Sequence, residues 1–220
     1  MGGDKLMNAN DITRLSELGV ATVYEASGRE GLIDIPLIQI IPNSHVAGPA
    51  RTALCGQDDN LMVHAIIEQI QPGEVLVLSM PEPAPVALLG ELLATQVKVR
   101  QAAGILVDAS VRDVSELVEL GLPIWSHFIR VRGATKTKLG ELNTTATVGG
   151  TQIASGDIVV LDADGGVCVR RERVDDVLKA SEERLAKENA LRKKLLAGQI
   201  SYDLHGLRDY VERNKNDQSK

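Results

Sequence analysis

The chain has 220 residues, a formal net charge of −6 and 2% aromatic residues, which excludes the basic, ring-bearing surface typical of nucleic-acid-binding proteins. Its length suits one domain of ordinary size that buries a hydrophobic core. No signal peptide and no apolar run of about 18 residues is recognisable, so the sequence predicts a cytoplasmic protein that does not enter membranes. Cys55 and Cys168 lie in apolar, strand-like segments and are predicted to be free, buried thiols.

The first third of the chain predicts helices alternating with extended segments. A helix is predicted over 10–18, with Asn10 or Asp11 as its N-cap, and it leads into the segment 20–27 and a glycine turn. A second helix is predicted near 61–69. Extended segments are predicted at 35–41, 46–54 and 74–80.

The next helix is predicted to begin near Gly90 and Glu91, after three prolines that cannot continue a helix. Gly90 lets a ligand approach backbone N–H groups that have no partner within the helix. A carboxylate is the ligand expected at such a helix start.

A second strand-to-helix junction follows at Arg112 and Asp113. The segment 104–109 predicts a buried strand, and Asp113 and Glu116 have the spacing of a capping box. Ligands of α/β sheets prefer this carboxyl end of the strands. With 20 residues between Glu91 and Arg112, the two junctions can bring two carboxylates and a guanidinium together. Such a cluster can hold a divalent cation and a 2-keto acid; the alternative is a dipole-compensating Glu91 and a solvated Arg112–Asp113 pair.

The C-terminal part predicts short strands and then a long helix. The strands are predicted at 124–131, 145–148, 151–153, 158–162 and 166–169. The helix carries an apolar stripe from Val174 to Leu195 and ends at Gly198. Glu188 falls within that stripe, where a buried carboxylate needs a partner. A site shared with another subunit would supply one; water or an arginine is the alternative.

Other polar residues give weaker evidence of a functional site. No two histidines have the spacing of metal ligands, so no zinc site is predicted. His64 is expected in the core or at an interface, and His127 either lines a pocket or has a structural role. Asn60 is a candidate substrate contact. The acidic stretch from Asp157 to Asp164 is explained by turns rather than by calcium.

Three motifs of this chain resemble one family. They are the segment 90–94, the Asp108-Ala-Ser-Val-Arg-Asp113 turn and the Gly-Asp stretch at 156–165. The family contains the regulator of ribonuclease activity A and the class II 4-hydroxy-4-methyl-2-oxoglutarate/4-carboxy-4-hydroxy-2-oxoadipate aldolases. The similarity extends from about residue 19 to 207, and the segments 19–31, 59–60, 68–73 and 123–126 look like the aldolase branch in particular.

The resemblance implies a swivelling β/β/α three-layer sandwich, an α/β fold, assembled as homotrimers or homohexamers. It divides the chain into a catalytic domain at 1–170, a helical extension at 171–213 that contributes to the oligomer interface, and a frayed tail at 214–220.

The resemblance also implies roles for individual residues. Asp113 would be the direct protein ligand of Mg²⁺ or Mn²⁺, and Glu91 would bind the metal through water and assist proton transfer. Arg112 would bind the keto oxygen and neutralise the enolate. Glu188 would reach the metal through water from the neighbouring subunit. The 1-carboxylate of the substrate would be received by backbone amides at one helix start: Gly90, Glu91, Leu92 and Leu93.

The function implied is that of a class II carbon–carbon lyase. It would cleave a 4-hydroxy-2-keto diacid, such as 4-hydroxy-4-methyl-2-oxoglutarate, to pyruvate and a carbonyl product through a metal-stabilised enolate. Oxaloacetate decarboxylation uses the same intermediate, and both reactions stay open. So does the alternative of a non-catalytic, protein-binding regulator of a ribonuclease. The segment 83–89 lacks the polar, aromatic loop usual before the first acid of these aldolases, which affects the distal half of the substrate.

Overall fold

The computed structural model describes residues 8–217, and the part up to Ser181 is an α/β fold built on a large mixed sheet. The helices are α1 Ala9–Leu18, α2 Val20–Ala26, α3 Leu61–Ile66, α4 Glu91–Val99, α5 Val114–Leu120, α6 Val174–Leu196, α7 Ser201–Leu204 and α8 Leu207–Asp217. The strands are β1 Ile38–Gln39, β2 Val46–Leu54, β3 Val75–Ser79, β4 Ala87–Leu89, β5 Gly104–Val111, β6 Ile124–Ile129, β7 Glu141–Leu142, β8 Ala146–Val148, β9 Thr151–Ile153, β10 Ile158–Asp162 and β11 Gly165–Val169. Short 3₁₀ turns at Ile67–Gln69 and Arg171–Arg173 extend α3 and precede α6.

The large sheet has the strand order β1-β6-β5-β3-β2-β10-β11, with β4 beside β5 and β7 beside β2. The neighbours β2, β3, β5 and β6 run parallel, and β4 is parallel to β5. The strands β1, β7, β10 and β11 pair antiparallel. The carboxyl ends of the parallel strands therefore meet at one edge, where ligands of α/β sheets bind.

Side chains of the sheet enter two hydrophobic cores, one on each face. Along β5, Ile105 and Val107 point into a core that α3, α4 and α5 cover, whereas Leu106 points into the other. That second core contains Trp125 and residues of β8, β9, β10 and β11. Helices, a central sheet and a second β layer thus agree with the predicted β/β/α layering.

Most predicted elements lie where the patterns placed them, and the differences are local. The N-cap of α1 is Asn8, whose Oδ1 accepts the Asn10 N–H at 3.1 Å, rather than Asn10 or Asp11. The segment predicted at 20–27 is the helix α2, which ends at Ala26. β5 extends two residues beyond the predicted end, to Val111, and the short strand β4 occupies the residues directly before Gly90.

The acidic stretch near β10 is explained by turn chemistry, as predicted. Asp162 accepts the Val20 N–H at 2.8 Å through one carboxylate oxygen and the Asp164 N–H at 2.8 Å through the other. Asp157 accepts hydrogen bonds from the Ala154 N–H at 3.0 Å and from Arg170 at 2.9 Å. These carboxylates fix connections between segments distant in sequence.

Both cysteines are free and buried, as predicted. Burial is the largest cause that raises the pKa of Cys55 and of Cys168 to about 12, and a neighbouring aspartate adds to each shift. Both thiols therefore stay protonated and unreactive at neutral pH.

The chain separates into two compact units, the first ending at Ser181 and the second beginning at Glu182. The predicted division into a catalytic domain and a helical extension from residue 171 stays a prediction. Buried residues of α6 are confined to its first turns: Val174, Val177 and Ser181. In the second unit α8 continues to Asp217. The fraying predicted for 214–220 stays a prediction, and 218–220 lie outside the described residues. Over 8–217 the helices lack the combination of length and apolar character that a membrane crossing requires.

Candidate functional site

A cleft of about 250 Å³ opens at the carboxyl ends of the parallel strands. The start of α4 and the turn after β5 form one side, and β4 forms the floor. The polar and charged residues that line it come from four segments: Asn60, His64, Gln96, Arg112, Asp113 and Lys136. The structure therefore brings Gly90, Leu92, Leu93, Arg112 and Asp113 together in one cleft, as the sequence predicted.

Asp113 turns its side chain toward α4. Its backbone is in the left-handed region, with φ 61°, and its side chain makes no cap hydrogen bond to α5, so the predicted capping box is wrong. Instead its Oδ2 accepts the Glu91 N–H at 3.2 Å. A Cβ atom at position 90 would lie 2.5 Å from that oxygen, and glycine is the residue that leaves room for this contact.

Arg112 lies beside Asp113 and is placed by β4. Its backbone N–H donates to the Leu89 carbonyl at 3.1 Å. Its Nε lies 3.8 Å from Asp113 Oδ2, and the two side chains are 48% and 44% exposed. An ion pair this exposed contributes only about 0–1 kcal/mol to folding. The two charges are therefore accessible to a ligand without a large loss of stability.

The first turn of α4 presents backbone donors to the cleft. Gly90 is its N-cap and supplies no side-chain hydrogen bond, and the first intrahelical bond is from Ala94 N–H to the Gly90 carbonyl. Glu91 N–H bonds to Asp113, which leaves the N–H groups of Leu92 and Leu93 without an intrahelical acceptor. Such a helix start favours an anion.

The Glu91 side chain follows its own helix. Its Oε1 accepts a hydrogen bond from Thr95 Oγ at 2.8 Å, one turn further along α4. Glu91 does not line the cleft with its neighbours Gly90 and Leu92. Its backbone N–H holds the Asp113 side chain, and its role toward a metal stays a prediction.

Asn60 brings a buried polar atom to the cleft wall. The residue is 7% exposed, and its Nδ2 donates to the Leu88 carbonyl at 3.1 Å. Its Oδ1 is buried without a hydrogen-bond partner among the described residues. An unsatisfied buried acceptor costs about 1–3 kcal/mol. A ligand that donates to Oδ1 would remove that cost.

The two histidines lie in different surroundings. His64 is exposed on α3 and lines the cleft, so it is not in the core, and a role at an interface stays a prediction. His127 does not line this cleft. Its Nδ1 lies 2.9 Å from Asp108 Oδ1, and its ring stacks on Phe128. Burial raises the pKa of Asp108, while the hydrogen bond and charge of His127 oppose the increase.

Glu188 lies in the second unit and pairs with Arg184 one helical turn earlier, at 2.8 Å. Its side chain is 37% exposed within this chain, and its burial at a subunit boundary stays a prediction. Within the described chain its partner is an arginine, the alternative considered from the sequence. Its role at a neighbouring subunit's site stays a prediction.

The donors of the cleft suit a hard cation that keeps much of its water. Among residues 8–217 no three His, Cys, Asp or Glu side chains cluster as a ready metal cage. Asp113 nevertheless presents a half-exposed carboxylate at the cleft. Mg²⁺ is commonly held by one or two carboxylates, substrate oxygens and water. The residues present therefore fit Mg²⁺ or Mn²⁺ and do not fit a closed structural site.

Comparisons with known proteins identify a family for this chain. The family description Aldolase/RraA (RraA-like) matches residues 20–168. A protein of Halalkalibacterium halodurans, provisionally named 4-hydroxy-4-methyl-2-oxoglutarate aldolase, is 29% identical over 171 residues, which cover 78% of this chain and 79% of that protein.

Solved structures share the fold. Streptomyces coelicolor RraAS2, described as an unusual member of the RNase ES inhibitor RraA protein family, superposes with a TM-score of 0.74 at 27% identity, covering 84% of this chain and 97% of that one. An uncharacterized protein of Pseudomonas syringae pv. tomato superposes with a TM-score of 0.77 at 19% identity, covering 88% and 96%. The second similarity bears on the fold alone.

Proposed function

The chain belongs to the RraA-like (Aldolase/RraA) family, and we propose that it is a divalent-metal-dependent lyase that releases pyruvate from a 2-keto diacid. The substrate class is a 4-hydroxy-2-keto diacid such as 4-hydroxy-4-methyl-2-oxoglutarate, and oxaloacetate is decarboxylated in the same cleft. The observation that carries the proposal is the meeting of Arg112, Asp113 and the free N–H groups of α4 in one cleft.

The start of α4 is proposed to bind the 1-carboxylate of the substrate. The N–H groups of Leu92 and Leu93, in the first turn of α4, have no intrahelical acceptor. The helix dipole adds to the attraction of an anion at this position. A substrate held there places its 2-keto group toward Arg112 and Asp113, the charged residues next to the helix start.

Asp113 is proposed to hold Mg²⁺ or Mn²⁺, with Glu91 contributing through water. When bound, the cation acts as a Lewis acid that polarises the 2-keto group. The half-exposed carboxylate of Asp113 at the cleft, an oxygen donor of the kind that hard cations prefer, is what supports this assignment.

Arg112 is proposed to stabilise the charge that develops on the keto oxygen. Its guanidinium lines the cleft, is 48% exposed and has donors beyond the contact with Asp113 that can bind the developing oxyanion. Loss of the proton from the 4-hydroxyl forms the carbonyl product and breaks C3–C4, and the bond electrons pass into the pyruvate enolate. Protonation at C3 then gives pyruvate. With oxaloacetate the C4 carboxylate leaves as CO₂ and forms the same enolate.

Glu188 is proposed to complete the site from a neighbouring subunit of a homotrimer or homohexamer. Co-expression of Glu91→Gln and Glu188→Gln protomers with different tags tests this directly. In random mixed oligomers about a quarter of the sites would regain both carboxylates, so activity should return to about that fraction of wild type. Mixed oligomers that stay as inactive as the parents would contradict a shared site.

A second candidate function is regulation of a ribonuclease by surface contact. The similarity to RraAS2 at 27% identity is the observation that favours it. That function does not require a cleft with a guanidinium, a carboxylate and free N–H groups, and this chain has all three. The catalytic proposal accounts for more of the structure.

The experiment that tests the proposed function is pyruvate release from oxaloacetate and from 4-hydroxy-4-methyl-2-oxoglutarate, with Mg²⁺ and again with EDTA. We expect metal-dependent release from both, and the two values of kcat/KM rank aldol cleavage against decarboxylation. Pyruvate release from oxaloacetate alone would show that 4-hydroxy-4-methyl-2-oxoglutarate is not the substrate of this cleft. No release from either substrate by folded, metal-loaded protein would favour the regulator.

A further inference from the structure

Asp59 is a fully buried carboxylate that joins two segments on the wall of the cleft. Its Oδ1 accepts the Leu61 N–H at 2.9 Å, at the start of α3. Its Oδ2 accepts three hydrogen bonds from a segment far along the chain: Thr135 Oγ at 2.6 Å, Thr137 N–H at 2.6 Å and Lys138 N–H at 3.0 Å. The backbone adds further bonds, from Asn60 N–H to the Thr135 carbonyl and from Thr135 N–H to the Asp58 carbonyl.

The charge of Asp59 is fully compensated without a cation. Burial alone would raise its pKa, but the hydroxyl of Thr135 and the three N–H groups hold the pKa of this carboxyl well below its usual range. Asp59 is therefore ionised at every working pH. Since its four hydrogen bonds use both oxygens, it has little capacity left to act on a substrate.

The segment that Asp59 anchors carries Lys136 into the cleft. The flanking residues Thr135, Thr137 and Lys138 are all bonded to Asp59, and Lys136 between them lines the cleft. Lys138 cannot replace it, because its Nζ donates to the Gln57 carbonyl at 2.7 Å. Among the described residues the cleft is lined by one lysine, whose backbone is held on both sides.

We propose that Asp59 is a positioning residue for the distal half of the substrate, which holds Lys136 where its ammonium binds the second carboxylate. This inference rests on the proposed function. In that function the start of α4 binds the first carboxylate and Arg112 binds the keto oxygen, which leaves Lys136 as the lining cation for the other end of a diacid. The rest of the cleft floor, at Ala87, Leu88 and Leu89, is apolar and offers no counter-charge.

The substitution Asp59→Asn tests the inference. The amide keeps an acceptor for Leu61 N–H but turns an NH₂ group toward the three donors of the 135–138 segment. We expect KM for 4-hydroxy-4-methyl-2-oxoglutarate to rise about tenfold, since one charged hydrogen bond is worth roughly that factor. Deuterium uptake into the methyl group of pyruvate, which has no second carboxylate, should change at least fivefold less than KM does.

A double-mutant cycle separates positioning from general loosening. Lys136→Met should raise KM by a similar factor, and Asp59→Asn combined with Lys136→Met should raise it no further, because one interaction is lost in both cases. If Asp59→Asn does not fold, Thr135→Val can replace it in the cycle with Lys136→Met. This substitution removes one donor to Asp59 and keeps the carboxylate, so its effect should be milder. Its increase in KM should likewise disappear in the Lys136→Met background.

The inference would be overturned if Asp59→Asn or Thr135→Val raised the KM of the Lys136→Met protein as much as it raises that of wild type. It would also be overturned if the substitution changed pyruvate exchange by the same factor as KM. The proposed function fails separately: wild-type protein with Mg²⁺ would then show no pyruvate exchange at all. Exchange in wild type together with an unchanged KM in the Asp59→Asn protein would contradict the role of Asp59 alone.

Discussion

Asp113→Asn is expected to lower metal-dependent kcat/KM by about 10³-fold or more, because the loss of a metal-activated electrophile costs several kcal/mol and each 1.4 kcal/mol is tenfold. The amide has nearly the shape of the carboxylate but lacks the charge that a hard cation requires. Asp113 is 44% exposed, and its recorded contacts are to Glu91 N–H and Arg112. The substitution should therefore change thermal stability little.

The matched control is Glu116→Gln, an exposed carboxylate three residues further along, on α5. It removes the same charge from the same region without altering the cleft lining. Steady-state rates at several Mg²⁺ concentrations, with melting temperatures, compare the two variants. A fully active Asp113→Asn protein, or equal losses in both variants, would remove Asp113 from the proposed metal site.

Arg112→Lys is expected to keep metal binding but to lose about 10²–10³-fold in kcat, the range found when one preorganised donor to a developing oxyanion is removed. Lysine keeps the positive charge, but its ammonium is a point charge on a flexible chain and does not reproduce the planar fork of the guanidinium. The Arg112 backbone N–H still bonds to the Leu89 carbonyl, so the turn that carries the side chain is preserved.

Arg130→Lys is the matched control for this substitution. Arg130 follows β6, its Nη1 donates to the Ile129 carbonyl, and it does not line the cleft. Values of kcat and the Mg²⁺ concentration at half activation distinguish loss of chemistry from loss of metal. Wild-type kcat in the Arg112→Lys protein would show that charge alone suffices. A large rise in the Mg²⁺ requirement would assign Arg112 to metal retention instead.

The sequence predicted the site where local patterns determine the backbone. The apolar, β-branched run before Arg112 and the glycine at position 90 mark two strand-to-helix junctions, and both helices begin within one residue of the expected place. Parallel strands then bring the two junctions to the same sheet edge. The meeting of Gly90, Arg112 and Asp113 follows from these features.

Side-chain directions were not predictable in the same way. A local capping rule assigns Asp113 to α5, but its left-handed backbone turns it to the N–H of Glu91 instead. Glu91 in turn bonds to Thr95 along its own helix. The partner that each side chain chooses depends on which hydrogen-bonding group lies nearer in the folded chain. The spacing of residues in the sequence does not give that distance.

The distal wall of the cleft depends on contacts between segments remote in sequence. Asp59 attracts attention in the sequence only through the family resemblance, because its partners at 135–138 lie 76 to 79 residues away. The placement of Lys136 and the unsatisfied Asn60 Oδ1 follow from that long-range connection. No periodicity or motif predicts it. For Glu188 a local pattern did make a prediction, because the apolar stripe of its helix suggested burial. A single chain does not provide that burial.

The most direct test of the central claim, that this cleft forms a pyruvate enolate, is deuterium uptake into the methyl group of pyruvate followed by NMR. With Mg²⁺ in D₂O, wild-type protein should remove the methyl proton signal, while EDTA or the Asp113→Asn substitution should reduce uptake to the rate of protein-free buffer. Uptake at the buffer rate by folded, metal-loaded wild type, or equal uptake by the Asp113→Asn protein, would contradict an enolate-forming site at Arg112 and Asp113.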